Sequence, residues 1–153
     1  MNDIITDSLI ALDIELNDKA AVINEIAKLL AENSRLVDRE IFIKNVYERE
    51  EIVPTGIGDL IAIPHARSAA VSKSSLVYLR LSSPIRWNDE EEARFIFGIA
   101  VPEDNVDNLH LKILSTVAKK LLDDKIKKII EESTSKQEIL DILLAMLSIV
   151  VPR

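Results

Sequence analysis

Histidine occurs twice in the sequence, at His65 and His110, and cysteine does not occur at all. A thiolate nucleophile, a disulfide and a zinc–thiolate site are therefore ruled out, and two imidazoles are too few for a multi-histidine metal cage. His65 follows a distinctive run, Thr55-Gly56-Ile57-Gly58-Asp59-Leu60-Ile61-Ala62-Ile63-Pro64. Glycines such as Gly56 and Gly58 let a backbone approach a ligand closely, and successive amides in such a loop can form a nest for an anion. Pro64 fixes its own φ and restricts Ile63, so the backbone presenting His65 is stiff. A fixed, accessible imidazole suits a general base, a metal ligand or a covalent nucleophile. The plain alternative is a pair of turn glycines beside an ordinary surface histidine, and spacing alone leaves both readings open.

Three further residues accompany that segment. His110 shares a helical face with Ile113, Leu114, Val117 and Leu121, in the first turn of a helix. A helix start disfavours the imidazolium and favours bound anions. His110 is thus either a neutral hydrogen-bond donor to a site or a core histidine satisfied by a backbone carbonyl. Arg49 shares a face with Phe42 and Val46 and closely precedes the glycine loop. Its guanidinium has the shape to hold a phosphate through two parallel bonds, or to complement a helix C-terminus. The Thr55 hydroxyl offers a donor to an anion or a brace for the turn. The run Asp89-Glu90-Glu91-Glu92 reads as a solvated turn. A serine-hydrolase elbow, a Walker loop and a dinucleotide fingerprint are all absent.

The elements that must position these residues follow from hydrophobic spacing. Ile10, Leu12, Ile14 and Leu16 alternate, which predicts a strand over 10–16. Asn17-Asp18 offers an N-cap for a helix running to about Asn33, and Asp38 for a second over Arg39–Arg49. A glycine loop over 52–60 then leads into the short apolar segment Ile61-Ala62-Ile63. Leu76–Ser82 alternates and predicts another strand. Ala93–Val101 is almost wholly apolar, as expected for a strand buried on both faces. Asp107 or Asn108 opens a helix lined by Ile113 and Val117, a further helix covers 123–132, and Ser135 with Glu138 has capping-box spacing for a last one. Strands mixed with helices predict an α/β three-layer sandwich, a mixed sheet flanked by helices on both faces.

The 153 residues fit one domain over 1–153, long enough to bury a sizeable core. Apolar residues make up 48% and charged residues 29%, which excludes disorder. The formal net charge of −7 argues against nucleic acid and against anionic membrane surfaces as partners. The acidic N-terminus lacks a basic-then-apolar targeting pattern, and no apolar run reaches the roughly 20 residues that span a bilayer, so the expected setting is cytoplasmic.

Taken together, Arg49-Glu50, Thr55-Gly56-Ile57-Gly58, Ile61-Ala62-Ile63-Pro64-His65-Ala66 and His110-Leu111-Lys112-Ile113-Leu114 resemble the fructose–mannitol type enzyme IIA domain. That domain belongs to the bacterial phosphoenolpyruvate-dependent sugar phosphotransferase system. The resemblance spans most of the chain. One departure is Asp59-Leu60, where the family more often has Asn-Gly. The resemblance implies a phosphorylated histidine at His65, a second active-site histidine at His110 and a phosphate-side arginine at Arg49, with Thr55, Gly56 and Gly58 contributing to phosphate binding. It implies a donor, the phosphocarrier protein HPr, an acceptor, an enzyme IIB domain, and indirect service to a membrane enzyme IIC, with no metal and no cofactor. The alternative within the family is a regulatory, nitrogen-related enzyme IIA paralogue whose phosphorylation state controls a binding partner.

Overall fold

A computed structural model describes residues 4–104 and 108–148, excluding the side chains of Leu109 and His110. The chain enters through a 3-10 turn, Asp7–Leu9, into strand β1, Ile10–Ile14. Helices α1, Lys19–Glu32, and α2, Arg39–Ile52, follow. Both begin where the sequence offers a cap: Asp18 accepts from the Ala21 amide and Asp38 from the Ile41 amide. Three short strands come next, β2 over Gly56–Gly58, β3 over Ile61–Ala62 and β4 over His65–Ser68. Two long strands, β5 over Ser75–Arg86 and β6 over Glu92–Pro102, precede the helices α3, Leu109–Lys120, α4, Asp124–Glu132, and α5, Lys136–Leu147.

Among the described residues the six strands form one mixed sheet in the order β1-β5-β6-β3-β2, with β4 also beside β6. The β1/β5 pair is parallel and β5/β6 antiparallel. Along this ladder alternate side chains face opposite layers. The Tyr78 hydroxyl on β5 donates to the Ile130 carbonyl of α4 at 2.8 Å. Opposite its neighbour Val77 lies Gly98 of β6, whose bare Cα faces Ile26 of α1. A Cβ at Gly98 would come within 3.0 Å of that isoleucine, so glycine here lets a helix seat closely on the sheet. Helices thus cover both faces, and the architecture is the three-layer α/β sandwich expected from the sequence. The apolar run of β6 is buried throughout from Phe95 to Val101.

The glycine segment departs from the expected loop. It is a hairpin, with Gly58 opposite Ile61 and two residues, Asp59 and Leu60, at its tip. Both tip residues take positive φ, 56° and 65°, as a type I′ turn requires. Gly58 precedes them at φ 89°. The turn is held from the sheet side, since the Leu60 carbonyl accepts from the amides of Arg94 and Phe95. Asn-Gly, which the resemblance leads one to expect at this place, is the usual sequence for such a turn.

β3 and β4 lie in one register along β6: Ile61 pairs with Phe95, Ala62 with Ile96, and His65 with Ile99. They amount to one strand interrupted at Ile63-Pro64. Pro64 has no N–H to give, while its carbonyl accepts from the Ile99 amide at 3.0 Å.

On the far part of the sheet, Arg80 is 1% exposed, yet each of its three guanidinium nitrogens is partnered. It makes two bonds to the Asp13 carboxylate and donates to the carbonyls of Ile130 and Ser133. Asp13 reaches it from a bulge in β1, at φ 55°.

Candidate functional site

A cleft of about 370 Å³ opens between α2, β4 and the start of α3. His65 and Arg67 of β4, Asn45, Glu48, Arg49 and Ile52 of α2, and Leu111 and Leu114 of α3 line it. The elements bring His65 and Arg49 together although 16 positions separate them in sequence. On α2 the buried stripe is Phe42, Val46 and Glu50. Arg49 stands at its edge, half-buried, where the helix meets the cleft.

His65 is 5% exposed, buried at the cleft wall rather than accessible on the surface as expected. Its Nδ1 lies 2.8 Å from the Ile63 carbonyl. A carbonyl only accepts, so Nδ1 carries the proton and Nε2 keeps the free electron pair. Burial pushes the imidazole below its ordinary value of 6.5; the Ile63 bond opposes this, Arg49 reinforces it and Glu50 opposes it. The ring is therefore neutral at pH 7, with a defined tautomer: the state needed for attack on an electrophile.

Arg49 takes the helix-end role and also faces the cleft. One guanidinium nitrogen donates to the Val53 carbonyl at 2.9 Å and closes the end of α2, which runs three residues further than expected. The same side chain lines the cleft with His65.

Three expected phosphate-binding residues lie elsewhere. The Thr55 hydroxyl and amide both donate to the Glu50 carboxylate, so Thr55 braces the turn. Gly56 borders a hollow with Asn88 and Glu91, and Gly58 another with Glu90, Glu91 and Glu92. Those surroundings are acidic and do not suit an anion. The physical reason is the hairpin: it pairs Gly56 with Ala62 and Gly58 with Ile61 and sets both glycines beside the acidic turn. Glu50 is the residue whose importance spacing did not convey. It is buried and receives Lys19 Nζ at 2.7 Å in addition to Thr55. It thereby ties α1, α2 and the hairpin together beside Arg49. Lys19 in turn lies over the Trp87 ring, 4.8 Å from its centre. His110 belongs to the first turn of α3, and its side chain lies outside the described residues. Asp107 is also outside them, and Asn108 precedes the helix at φ 52° without a side-chain cap.

Among the described residues no cluster of three or more histidine or carboxylate side chains could hold a metal ion. No described helix is long and apolar enough to cross a membrane.

The family model for the "Phosphoenolpyruvate-dependent sugar phosphotransferase system, EIIA 2" matches residues 3–146. The chain belongs to this family. The family is that of the EIIA components of this phosphotransferase system. It is 32% identical over 145 residues to the fructose-specific EIIABC component of Bacillus subtilis (strain 168), covering 94% of this chain and 23% of that protein. It is also 32% identical over 137 residues to the fructose-specific EIIA component of Haloferax volcanii, covering 88% of each. This EIIA chain spans about a fifth to a quarter of the length of the EIIABC relatives it matches. Among solved structures, the nitrogen regulatory protein IIA-Ntr from Neisseria meningitidis superposes with a TM-score of 0.82 at 29% identity, covering 92% of this chain and 97% of that one.

Proposed function

We propose that His65 Nε2 is the atom that carries the phosphoryl group. The observation behind this reading is the Nδ1–H bond to the Ile63 carbonyl, which leaves Nε2 as the one basic nitrogen of a neutral ring beside Arg49. The Nε2 electron pair attacks the phosphorus of a phosphohistidine on HPr. The donor's P–N bond breaks and its electrons return to the donor nitrogen. The product ring holds phosphorus on Nε2 and its original proton on Nδ1, still bonded to Ile63, so no proton has to move during transfer. Arg49 offsets the charge on the phosphoryl oxygens, and the family resemblance assigns His110 as the second active-site histidine. An enzyme IIB domain then takes the group by the same displacement, for use by a membrane enzyme IIC. The name of the EIIABC relative, which joins A, B and C components in one chain, supports that order. The exposed apolar residues Ile52 and Leu111 at the cleft rim give HPr and IIB surfaces that shed water readily. Residues 1–153 work as one IIA unit, in the cytoplasm.

The test is phosphorylation with phosphoenolpyruvate, enzyme I and HPr, followed by mapping of the label. Acid-labile, base-stable label at His65 Nε2, absent from His65→Ala and discharged by an enzyme IIB, is the expected result. Label that persists in His65→Ala refutes the assignment. Label at His65 that no IIB discharges leaves the carrier atom right and favours the regulatory role.

A further inference from the structure

Arg67 stands two residues after His65 on β4. Alternate residues of a strand face the same side, about 6.6 Å apart along it, and both side chains line the same cleft. The strand cannot easily turn Arg67 away. Arg67 pairs with Val101 of β6, and on either side Ala66 and Ser68 are buried. Ser68 is further fixed, with its hydroxyl donating to Asn45 Oδ1 at 2.6 Å and accepting from the Ala70 amide. The Arg67 guanidinium, by contrast, is exposed and makes no hydrogen bond or ion pair among the described residues.

The charge of the cleft turns on this residue. Among the described residues its charged lining is one carboxylate, Glu48, and two guanidiniums, Arg49 and Arg67. With His65 neutral, Arg49 and Glu48 alone would leave the cleft without net charge, and part of Arg49 is already committed to the Val53 carbonyl. Arg67 makes the cleft cationic in a chain whose net charge is −7. A guanidinium with all its donors free matches a phosphoryl group, which brings a charge of about −2 and three acceptor oxygens.

We propose that Arg67 is a second phosphoryl-binding residue, which holds the oxygens of the group on His65 opposite Arg49. This rests on the reading that His65 carries the phosphoryl group. Its neighbours on the strand make the mechanism specific: Arg67 moves with the nucleophile's own backbone, whereas Arg49 approaches from a helix.

The experiment uses two phosphodonors on the full chain. One is phospho-HPr. The other is phosphoramidate, a small molecule that offers no protein surface; His65 Nε2 forms the new P–N bond as the old one breaks and ammonia leaves. Label is quantified at His65 for the wild type, Arg67→Gln and Arg67→Lys, after equal urea-unfolding midpoints show that all three fold. For Arg67→Gln the expected result is a rate lower by roughly 10- to 1,000-fold with both donors, the range for loss of one preorganised donor. Arg67→Lys should recover part of the rate with both, since it keeps the charge and loses the fork. A loss confined to phospho-HPr overturns the proposal and makes Arg67 a contact for the partner protein. Unchanged rates with both donors overturn it as well. A wild type that takes no label at His65 from either donor refutes the carrier reading itself, which is a different failure from a wild type that labels normally and an Arg67→Gln variant that does the same.

Discussion

Mild acid should destabilise this protein through one side chain before most of its carboxylates titrate. His65 is 5% exposed, and burial holds its imidazole below 6.5. In the unfolded chain the same ring titrates at its ordinary value. Between the two, the unfolded state binds a proton that the folded state refuses, so stability falls as the pH falls. The contribution is complete above 6.5 and is lost as the pH drops from there through the folded value. One proton sets the slope, at most about 1.4 kcal/mol per pH unit. Urea unfolding of the wild type and of His65→Gln, stepped from pH 8 to pH 5, isolates this contribution, because titrations shared by both proteins cancel in the difference. The difference should be constant above pH 7 and then turn against the wild type, by up to that slope. A second readout is labelling by phospho-HPr, which should stay level down to about 6.5. A stability difference flat to pH 5 would mean that burial does not depress His65. A wild type that gains on the variant in acid would mean that an imidazolium is welcome there, with Glu50 outweighing burial and Arg49, and that His65 is not held as a neutral nucleophile.

Two further outcomes test the framework around the site. At Leu60, whose φ is 65°, glycine should be tolerated better than alanine, by about 1 kcal/mol in urea unfolding; alanine keeps the left-handed strain that glycine relieves, so the usual order of the two is inverted. Asp13→Asn should lower stability by about 1 kcal/mol at neutral pH, modest because Asp13 is half exposed while its partner Arg80 is not. The Arg80 bond holds the Asp13 carboxyl below 3.8, so its contribution is present above that value and is lost as the pH falls through the folded one; the two proteins should converge there.

How much of this was legible in the sequence depended on how local each cause is. Asp18, Asp38 and Ser135 cap the helices they were expected to cap, because a cap acts within three residues. The doubly buried β6 was legible from its unbroken apolar run. β4 was not, because His65-Ala66-Arg67-Ser68 has neither strand alternation nor apolar length; it is a strand only because β6 offers a ladder beside it. The β2/β3 hairpin escaped for a similar reason. Asp59-Leu60 is no turn signal, and the sheet amides of Arg94 and Phe95 hold Leu60 in place. In the site, stiff presentation of His65 by Pro64 could be read from two residues. Its burial, its tautomer and the diversion of Thr55 to Glu50 could not, since each depends on partners brought up by the fold. The sequence also ends on an apolar stretch, Leu147-Ser148-Ile149-Val150-Val151, of which Ile149 onward lies outside the described residues.

On the proposed carrier role, the placement of His65 inside the ladder of β4 and β6 has a consequence for traffic through the relay. A nucleophile on a swinging loop could be loaded in one place and unloaded in another. This one is anchored to Ile99 across the sheet, so giver and taker must come in turn to the same mouth. Each visitor bars the other while it stays. A discharged donor that lingers delays the next acceptor, and raising the donor's concentration beyond need slows delivery. Throughput is then highest at intermediate partner concentrations, and brief visits serve the chain better than tight ones.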